Sequence, residues 1–225
     1  MNSIKRKTWW LSDPHFYHAN VIKYEKRPFK NVHEMNDTII DNINKKVSPN
    51  DTLIITGDFC FGNKKQWRSI CSRINCHNLI LVQGNHDKNV TKECFVAVVT
   101  RMHMQIAGQT VIVSHYPFRW PWWKRLFKKP LRYEERRIHD NGTYFLIHGH
   151  VHGNGVVPPH DAGPDERAIH VGVDQWNFEP VSMKTIETLI CRRVSKIRDQ
   201  RAKDKKADEE AVMKALRCLN GGMFM

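Results

Sequence analysis

The chain has 225 residues, of which 40% are hydrophobic and 26% charged, a composition that fits one soluble globular core and leaves too little length for two ordinary domains. No apolar run approaches the ~18 residues of a membrane span, which excludes a helical membrane protein. A formal net charge of +13 points to a polyanionic partner or substrate but does not bear on reaction type.

In chain order, the first predicted element is a short strand, Thr8–Leu11. The basic stretch Met1 to Lys7 runs straight into it, without the apolar segment and cleavage site of an export signal, so a cytoplasmic protein is expected. Asn31 and Glu34 form a capping-box start for a helix whose apolar face carries Val32, Met35, Ile39, Ile43 and Val47. A strand at Leu53–Thr56, a second helical pattern in Trp67, Ile70, Cys71 and Ile74, and a strand at Leu79–Val82 come next. Ala107-Gly108-Gln109 reads as a hairpin turn leading into a fourth strand, Val111–Val113, and Tyr144–Ile147 makes a fifth. Strands alternating with helices imply right-handed crossovers and an α/β class. The six cysteines form no CxxC pair and are expected as free thiols.

The residues directly after each strand are the informative ones. The five strands run into Ser12-Asp13-Pro14-His15, Gly57-Asp58, Gln83-Gly84-Asn85-His86-Asp87, Ser114-His115 and His148-Gly149-His150-Val151-His152. Ligand sites in α/β sheets gather at the carboxyl ends of strands, so these side chains are expected in one crevice. Taken singly, Asp-x-His or Gly-Asp after a strand is ordinarily a turn and a cap, and a histidine-rich run is often solvated surface. Together they share one chemistry: Asp and Asn oxygens and neutral imidazoles suit a divalent ion, manganese first, then iron, zinc or nickel.

As an ordered set, Asp-x-His, Gly-Asp, Gly-Asn-His-Asp, Ser-His and Gly-His-x-His resemble the calcineurin-like metallophosphoesterase superfamily from about residue 8 to residue 183. The opening Ser-Asp-Pro-His-Phe-Tyr-His-Ala-Asn with Arg27-Pro28-Phe29, and the late Val171-Gly172-Val173-Asp174, are similar to a small bacterial and bacteriophage branch known only broadly as phosphoesterases. The resemblance implies two mixed β-sheets packed as a sandwich flanked by helices, and a hydrolase of phosphate esters. It implies a first metal held by Asp13, His15, Asp58 and His152, and a second held by Asp58, Asn85, His115 and His150, with Asp58 bridging. In such sites the ions lie about 3.5–4 Å apart, clamp the phosphate and acidify a bridging water. His86 would protonate the leaving oxygen, with Asp87 orienting its imidazole.

The chain departs from the phosphoprotein phosphatases of that superfamily, which place an acidic residue and then an arginine soon after Gly-Asp. Here Gly57-Asp58 continues as Phe59-Cys60-Phe61-Gly62-Asn63, so the phosphate-clamping arginine is missing and a protein phosphatase is disfavoured. His148 reads as a hydrogen-bonding neighbour of the ligands. His18, three residues after His15, reads equally as a substrate phosphate contact or as a structural hydrogen bond. His33, His77, His103, His139, His160 and His170 lack such context and read as ordinary polar residues.

Two stretches hold most of the excess charge. Residues 117–142 carry eight Lys/Arg against three Asp/Glu, and residues 192–217 ten against five. In the first, Arg119, Trp122, Trp123, Lys128 and Lys129 interleave aromatics with cations, as stacking on bases and pairing with phosphates require. An amphipathic lid with buried tryptophans is a second reading, and a membrane-surface segment a third. The C-terminal part reads as a basic helix, solvated in its first half and with a docking face in the half that carries Ala211, Ala215 and Leu219. The expected division is a catalytic domain over residues 1–190, including the basic aromatic insertion, and a helical tail over 191–225.

The expected activity is therefore a two-metal phosphodiesterase on nucleotides or nucleic acid. A phosphomonoesterase on small phosphorylated molecules is the alternative within the class. A nucleic-acid-binding module with a non-catalytic metal centre is the rival outside it, and an intact ligand set argues against that rival.

Overall fold

The structure is a computed structural model and describes residues 6–119, 133–153 and 166–221. In chain order the elements are β1 (Thr8–Leu11), α1 (Ala19–Tyr24), α2 (Val32–Lys46), β2 (Thr52–Ile55), α3 (Lys64–Arg73), β3 (Asn78–Val82) and β4 (Ala97–Val99). After these come β5 (Met102–Ile106), β6 (Gln109–Val113), β7 (Phe145–His148), β8 (Ala168–His170), β9 (Val181–Ser182) and α4 (Met183–Gly221).

The strands form two mixed sheets. One has the order β4-β3-β2-β1-β9, parallel except for β9, and the other has the order β5-β6-β7-β8, parallel except for β5. Strand periodicity sends alternate side chains to opposite faces, and the two faces divide accordingly. On β1 and β2, Leu11, Leu53 and Ile55 pack under the helices with Met35, Ile39, Ile43, Trp67 and Ile70. Their neighbours Trp10 and Ile54 face the second sheet, against Val111, Val113, Phe145 and Ile147. Each such side chain contributes about 1.5–3 kcal/mol on burial, so shifting one strand by a single residue would forfeit several of these contributions.

Local signals set the element ends. Asn31 caps α2 by accepting from the amides of His33 and Glu34, while Glu34 reaches back to the amide of Lys30 rather than to that of the cap. The reciprocal capping box occurs at α3, between Asn63 and Gln66. The β5–β6 turn is two residues, Ala107 and Gly108, both left-handed at φ of 50° and 71°, as a tight hairpin demands.

Helix α4 runs unbroken for 39 residues, through the expected boundary at residue 190. Its docking half is the first: Ile186, Leu189 and Ile190 are buried in the inter-sheet core, with Val194 and Ile197 packed against it. Ala211 and Ala215, expected on the docking face, are exposed instead, and the side chain of Leu219 lies outside what is described. No helix among the described residues is long and apolar enough to cross a membrane. The cysteines described, Cys60, Cys71, Cys76, Cys94 and Cys191, are free.

Candidate metal centre

The carboxyl ends of β1, β2 and β3 in one sheet, and of β6 and β7 in the other, meet along one rim of the sandwich. Backbone hydrogen bonds stitch the loops together: the amides of Asp13 and His15 donate to the carbonyls of Gly57 and Asp58, each at 3.1 Å, and Gly149 donates to His115 at 3.1 Å. The two sheets are joined at the rim by the His150 amide, which donates to Asp13 Oδ2, and by His115 Nδ1 against the Thr56 carbonyl, each at 2.9 Å.

Two groups of side chains converge there. Potential ligand atoms of Asp13, His15 and His152 lie within 4.8 Å of one another, and so do those of Asp58, His115 and His150. Asp58 lies between the groups, its Oδ2 3.6 Å from His15 Nε2 and 3.4 Å from His115 Nε2. Asn85 Oδ1 joins the second group, 3.2 Å from His115 Nε2.

Atoms pointing away from the gap are held by the protein. Asp13 Oδ2 accepts from the amide of His150, and Asp58 Oδ1 from the amide of His86, both at 2.9 Å. His115 Nδ1 meets the Thr56 carbonyl at 2.9 Å, His152 Nδ1 meets Asp174 Oδ2 at 3.0 Å, and His15 Nδ1 meets His18 Nδ1 at 3.1 Å. Such outer bonds fix ring orientation and tautomer around a metal. The inward atoms are left over: among the described residues, buried Asp13 Oδ1 and His15 Nε2 have no hydrogen-bond partner and lie 4.0 Å apart. Buried polar atoms seldom stay unpaired, and two facing each other across a gap of that size fit a divalent cation.

Electrostatics agree with that fit. Burial pushes the His115 imidazole down, but the Asp58 carboxylate outweighs it and raises the ring to about 9. Burial acts to raise Asp58 in turn, and His115 and His15 nevertheless hold its carboxyl below the usual range. A cation in this gap would take over the charge that the pair now draws from a proton. His150 is lowered to about 4, by burial and then by His115, and His15 well below its ordinary value by burial, which leaves both as neutral donors.

The backbone is also unusual. Asp13, His15, Asp58, His150 and His152 all have left-handed φ, between 47° and 75°. Each such conformation in a non-glycine residue costs on the order of 1 kcal/mol or more and persists where the surroundings enforce it. Gly84 and Gly149 let the backbone come close to these carboxylates, because a Cβ at either would overlap Asp58 or Asp13.

His86 lies on the open side, its ring centroid 5.5 Å from that of His15 and 4.9 Å from that of Phe61. Asp87, expected to orient His86, gives its oxygens to the amides of Asp58, Phe59 and Gly84 at 2.7–2.9 Å and so shapes the loop that carries Asp58. His18 contacts His15 and stacks on Phe61 at 4.1 Å, and burial with His86 nearby lowers its pKa to about 4. Arg119 pairs with Glu134 at 3.1 Å. Trp122, Trp123, Lys128, Lys129 and His160 lie outside the described residues.

Some participants have no role that the sequence assigns. Asp174, which holds His152, is itself gripped by Arg27 through Nε and Nη2 at 2.7 and 2.8 Å. The same guanidinium donates to the carbonyls of Asp13 and Pro14 at 2.8 and 3.0 Å. Burial acts to raise the Asp174 carboxyl, but the bonds from His152 and Arg27 prevail and hold it below the ordinary range. Both residues stand in signature stretches, though nothing in the sequence joins them. His148 is buried and bonds the Gly149 carbonyl at 2.8 Å. His170, read as an ordinary polar residue, is buried against it with ring centroids 5.2 Å apart.

Comparison with known proteins gives a consistent picture. Residues 11–161 match the Calcineurin-like phosphoesterase superfamily domain. An uncharacterized protein of Methanocaldococcus jannaschii is 32% identical over 187 residues, covering 82% of this chain and 92% of its own. A crystal structure of a protein of unknown function from Aquifex aeolicus aligns at a TM-score of 0.63 with 28% identity, over 82% of this chain and all of its own. A structure described as a novel archaeal phosphodiesterase aligns at a TM-score of only 0.36 with 17% identity, over 74% of this chain and 83% of its own, too distant to inform the site.

Proposed function

Because the chain belongs to the calcineurin-like phosphoesterase superfamily, we propose that it is a phosphodiesterase acting on nucleotides or nucleic acid through two divalent ions. Asp13, His15, Asp58 and His152 would hold one, and Asp58, Asn85, His115 and His150 the other, with Asp58 shared. The observation that carries this reading is the pair of buried atoms with no hydrogen-bond partner among the described residues, Asp13 Oδ1 and His15 Nε2, in a cluster where the outer atoms of Asp13, His15, Asp58, His115 and His152 are tied down. When bound, such ions act as Lewis acids on the phosphoryl oxygens and lower the pKa of attacking water; manganese is the first choice, then iron, zinc or nickel.

The chain's own residues supply the rest. His86 stands beside Asn85 and donates a proton to the leaving oxygen, the role expected of an imidazole at the open edge. Its backbone amide holds Asp58 Oδ1, which leaves Oδ2 to face both groups. His18 fixes the ring of His15 and, with Phe61 stacked on it, walls the approach. Phe61 is 49% exposed and lines a cleft of about 310 Å³ with Asn85, His86 and Lys88, an aromatic platform on which a base can stack. The basic segment of Arg119, Trp122, Trp123, Lys128 and Lys129 belongs to the same reading as a substrate contact.

Within the superfamily we assign the chain to the small bacterial and bacteriophage branch, on Arg27 and Asp174; the relatives named come from an archaeon and a bacterium. We keep residues 1–190 as the catalytic unit and 191–225 as a basic tail whose first turns, with Val194 and Ile197, pack against that unit, in a protein of the cytoplasm. The test is turnover of bis(p-nitrophenyl) phosphate and p-nitrophenyl phosphate with added manganese. Faster hydrolysis of the diester is expected. Preference for the monoester would favour the phosphomonoesterase alternative, and no hydrolysis of either would favour a binding module with a non-catalytic metal centre.

A further inference from the structure

A second cleft opens on the same asparagine. It measures about 540 Å³, within the range of small-ligand sites, and is lined by Asn85, Asp87, Tyr116 and three cations, Lys88, Arg101 and Arg136. The cations come from separate segments: the turn after β3, the link between β4 and β5, and the stretch before β7. Asp87 is the one acid among these lining residues, and its oxygens are already taken by backbone amides.

Arg136 is positioned rather than loose. Its Nη1 donates to the Tyr116 hydroxyl at 3.2 Å, and its guanidinium lies 6.0 and 5.9 Å from the ring centroids of Tyr116 and Tyr133. Tyr116 in turn rests against His115 and His150, with centroids 5.0 and 5.2 Å away. The competing carboxylate of Glu135 comes no nearer than 3.9 Å to Arg136 Nε and is in solvent, where such a pair is weak. A row of side chains thus runs from the second ligand group to a guanidinium, and the cleft beside it carries more positive than negative charge.

We propose that this cleft is a subsite for a second phosphate, one that is not cleaved, so that preferred substrates carry at least two phosphoryl groups. The inference rests on the phosphoesterase reading and narrows its substrate class. Lys88 lines both this cleft and the one beside Phe61, so a base on Phe61 and an anion between Arg101 and Arg136 would flank the reacting phosphate. Uncleaved phosphates bind through such charge-assisted contacts and position the rest of the substrate.

The test compares thymidine 5′-(p-nitrophenyl phosphate) with the same ester carrying a 3′-phosphate, both with manganese-loaded protein. The 3′-phosphate should lower KM by about tenfold or more, a gain that fades with added salt. Arg101→Ala and Arg136→Ala should each remove most of that gain, while kcat/KM for the ester without the second phosphate stays within about twofold. A methyl diester of the 3′-phosphate separates the sources: retention of the gain indicates a nucleic-acid strand, and its loss indicates a nucleotide bisphosphate. Equal KM for the two esters in the wild-type protein, which needs no variant to fold, would overturn the subsite and leave the phosphoesterase reading standing. Hydrolysis of neither ester would overturn both.

Discussion

Replacing Arg27 should damage the fold and the first metal site together. Its guanidinium is buried, pairs with Asp174 through two nitrogens and also satisfies the carbonyls of Asp13 and Pro14. Arg27→Met leaves a buried carboxylate without its cation, a change that typically costs about 3–5 kcal/mol. Unfolding entropy of about 2.1 cal/mol/K per residue gives roughly 0.47 kcal/mol/K for this chain, so Tm should fall by about 6–11 °C. The assay is thermal unfolding of chelator-treated protein, so that lost metal affinity is not counted as lost stability. Asp174→Leu should cost a similar amount. The double variant Arg27→Met with Asp174→Leu should cost clearly less than the sum, by about 2 kcal/mol or more, because each single change strands the other charge. Strict additivity, or a Tm change under about 2 °C for Arg27→Met, would refute the claim that the pair clamps the β1 loop to the carboxylate behind His152.

Asp58→Asn and His150→Ala should each abolish metal-dependent hydrolysis, and full activity in either purified variant would sink the shared-carboxylate assignment. His86→Ala should lower kcat by about 10²–10⁴-fold on a poor leaving group with both ions retained, so loss of metal in that variant would place His86 among the ligands. Away from the site, Asp51 accepts from the amides of Lys7 and Ser48 and from Trp9 Nε1 at 2.9–3.0 Å, and these bonds outweigh burial to lower its pKa. A depressed carboxylate stabilises the fold above its unfolded pKa of about 3.9 and loses that contribution as pH falls through the folded value. The stability gap between wild type and Asp51→Asn should therefore be flat above about pH 5 and shrink below about pH 4, which urea unfolding across pH will show; a gap that stays constant to pH 3 would contradict it.

The strands with long apolar runs are legible in the sequence because each is buried on both faces and stops at a polar residue. Those strand ends also expose the candidate ligands, since each cluster alone reads as a turn or a cap but five of them at five strand ends share one chemistry. β4 and β9, of three and two residues, are too short to carry a pattern, and their pairing depends on neighbours distant in sequence. β5 reads Met-His-Met-Gln-Ile, an alternation that is there to be found ahead of the Ala107-Gly108 turn. The partnership of Arg27 and Asp174 spans 147 residues, beyond the reach of local spacing. The left-handed backbone of five candidate ligands leaves no mark in residue type, because Asp and His tolerate that region better than most residues without requiring it. The docking half of α4 is misread from sequence because Ala211 and Ala215 mimic a packing face, whereas the buried stripe is the Ile186, Leu189 and Ile190 stretch that comes directly after β9.

The most direct measurement is a metal titration of chelator-stripped protein that follows bound manganese and hydrolysis of an aryl phosphodiester in the same samples. Activity should be absent in the stripped protein and should rise to its maximum as two ions bind per chain. Hydrolysis that survives complete removal of metal, or that reaches its maximum with one ion bound per chain, would contradict the two-metal account.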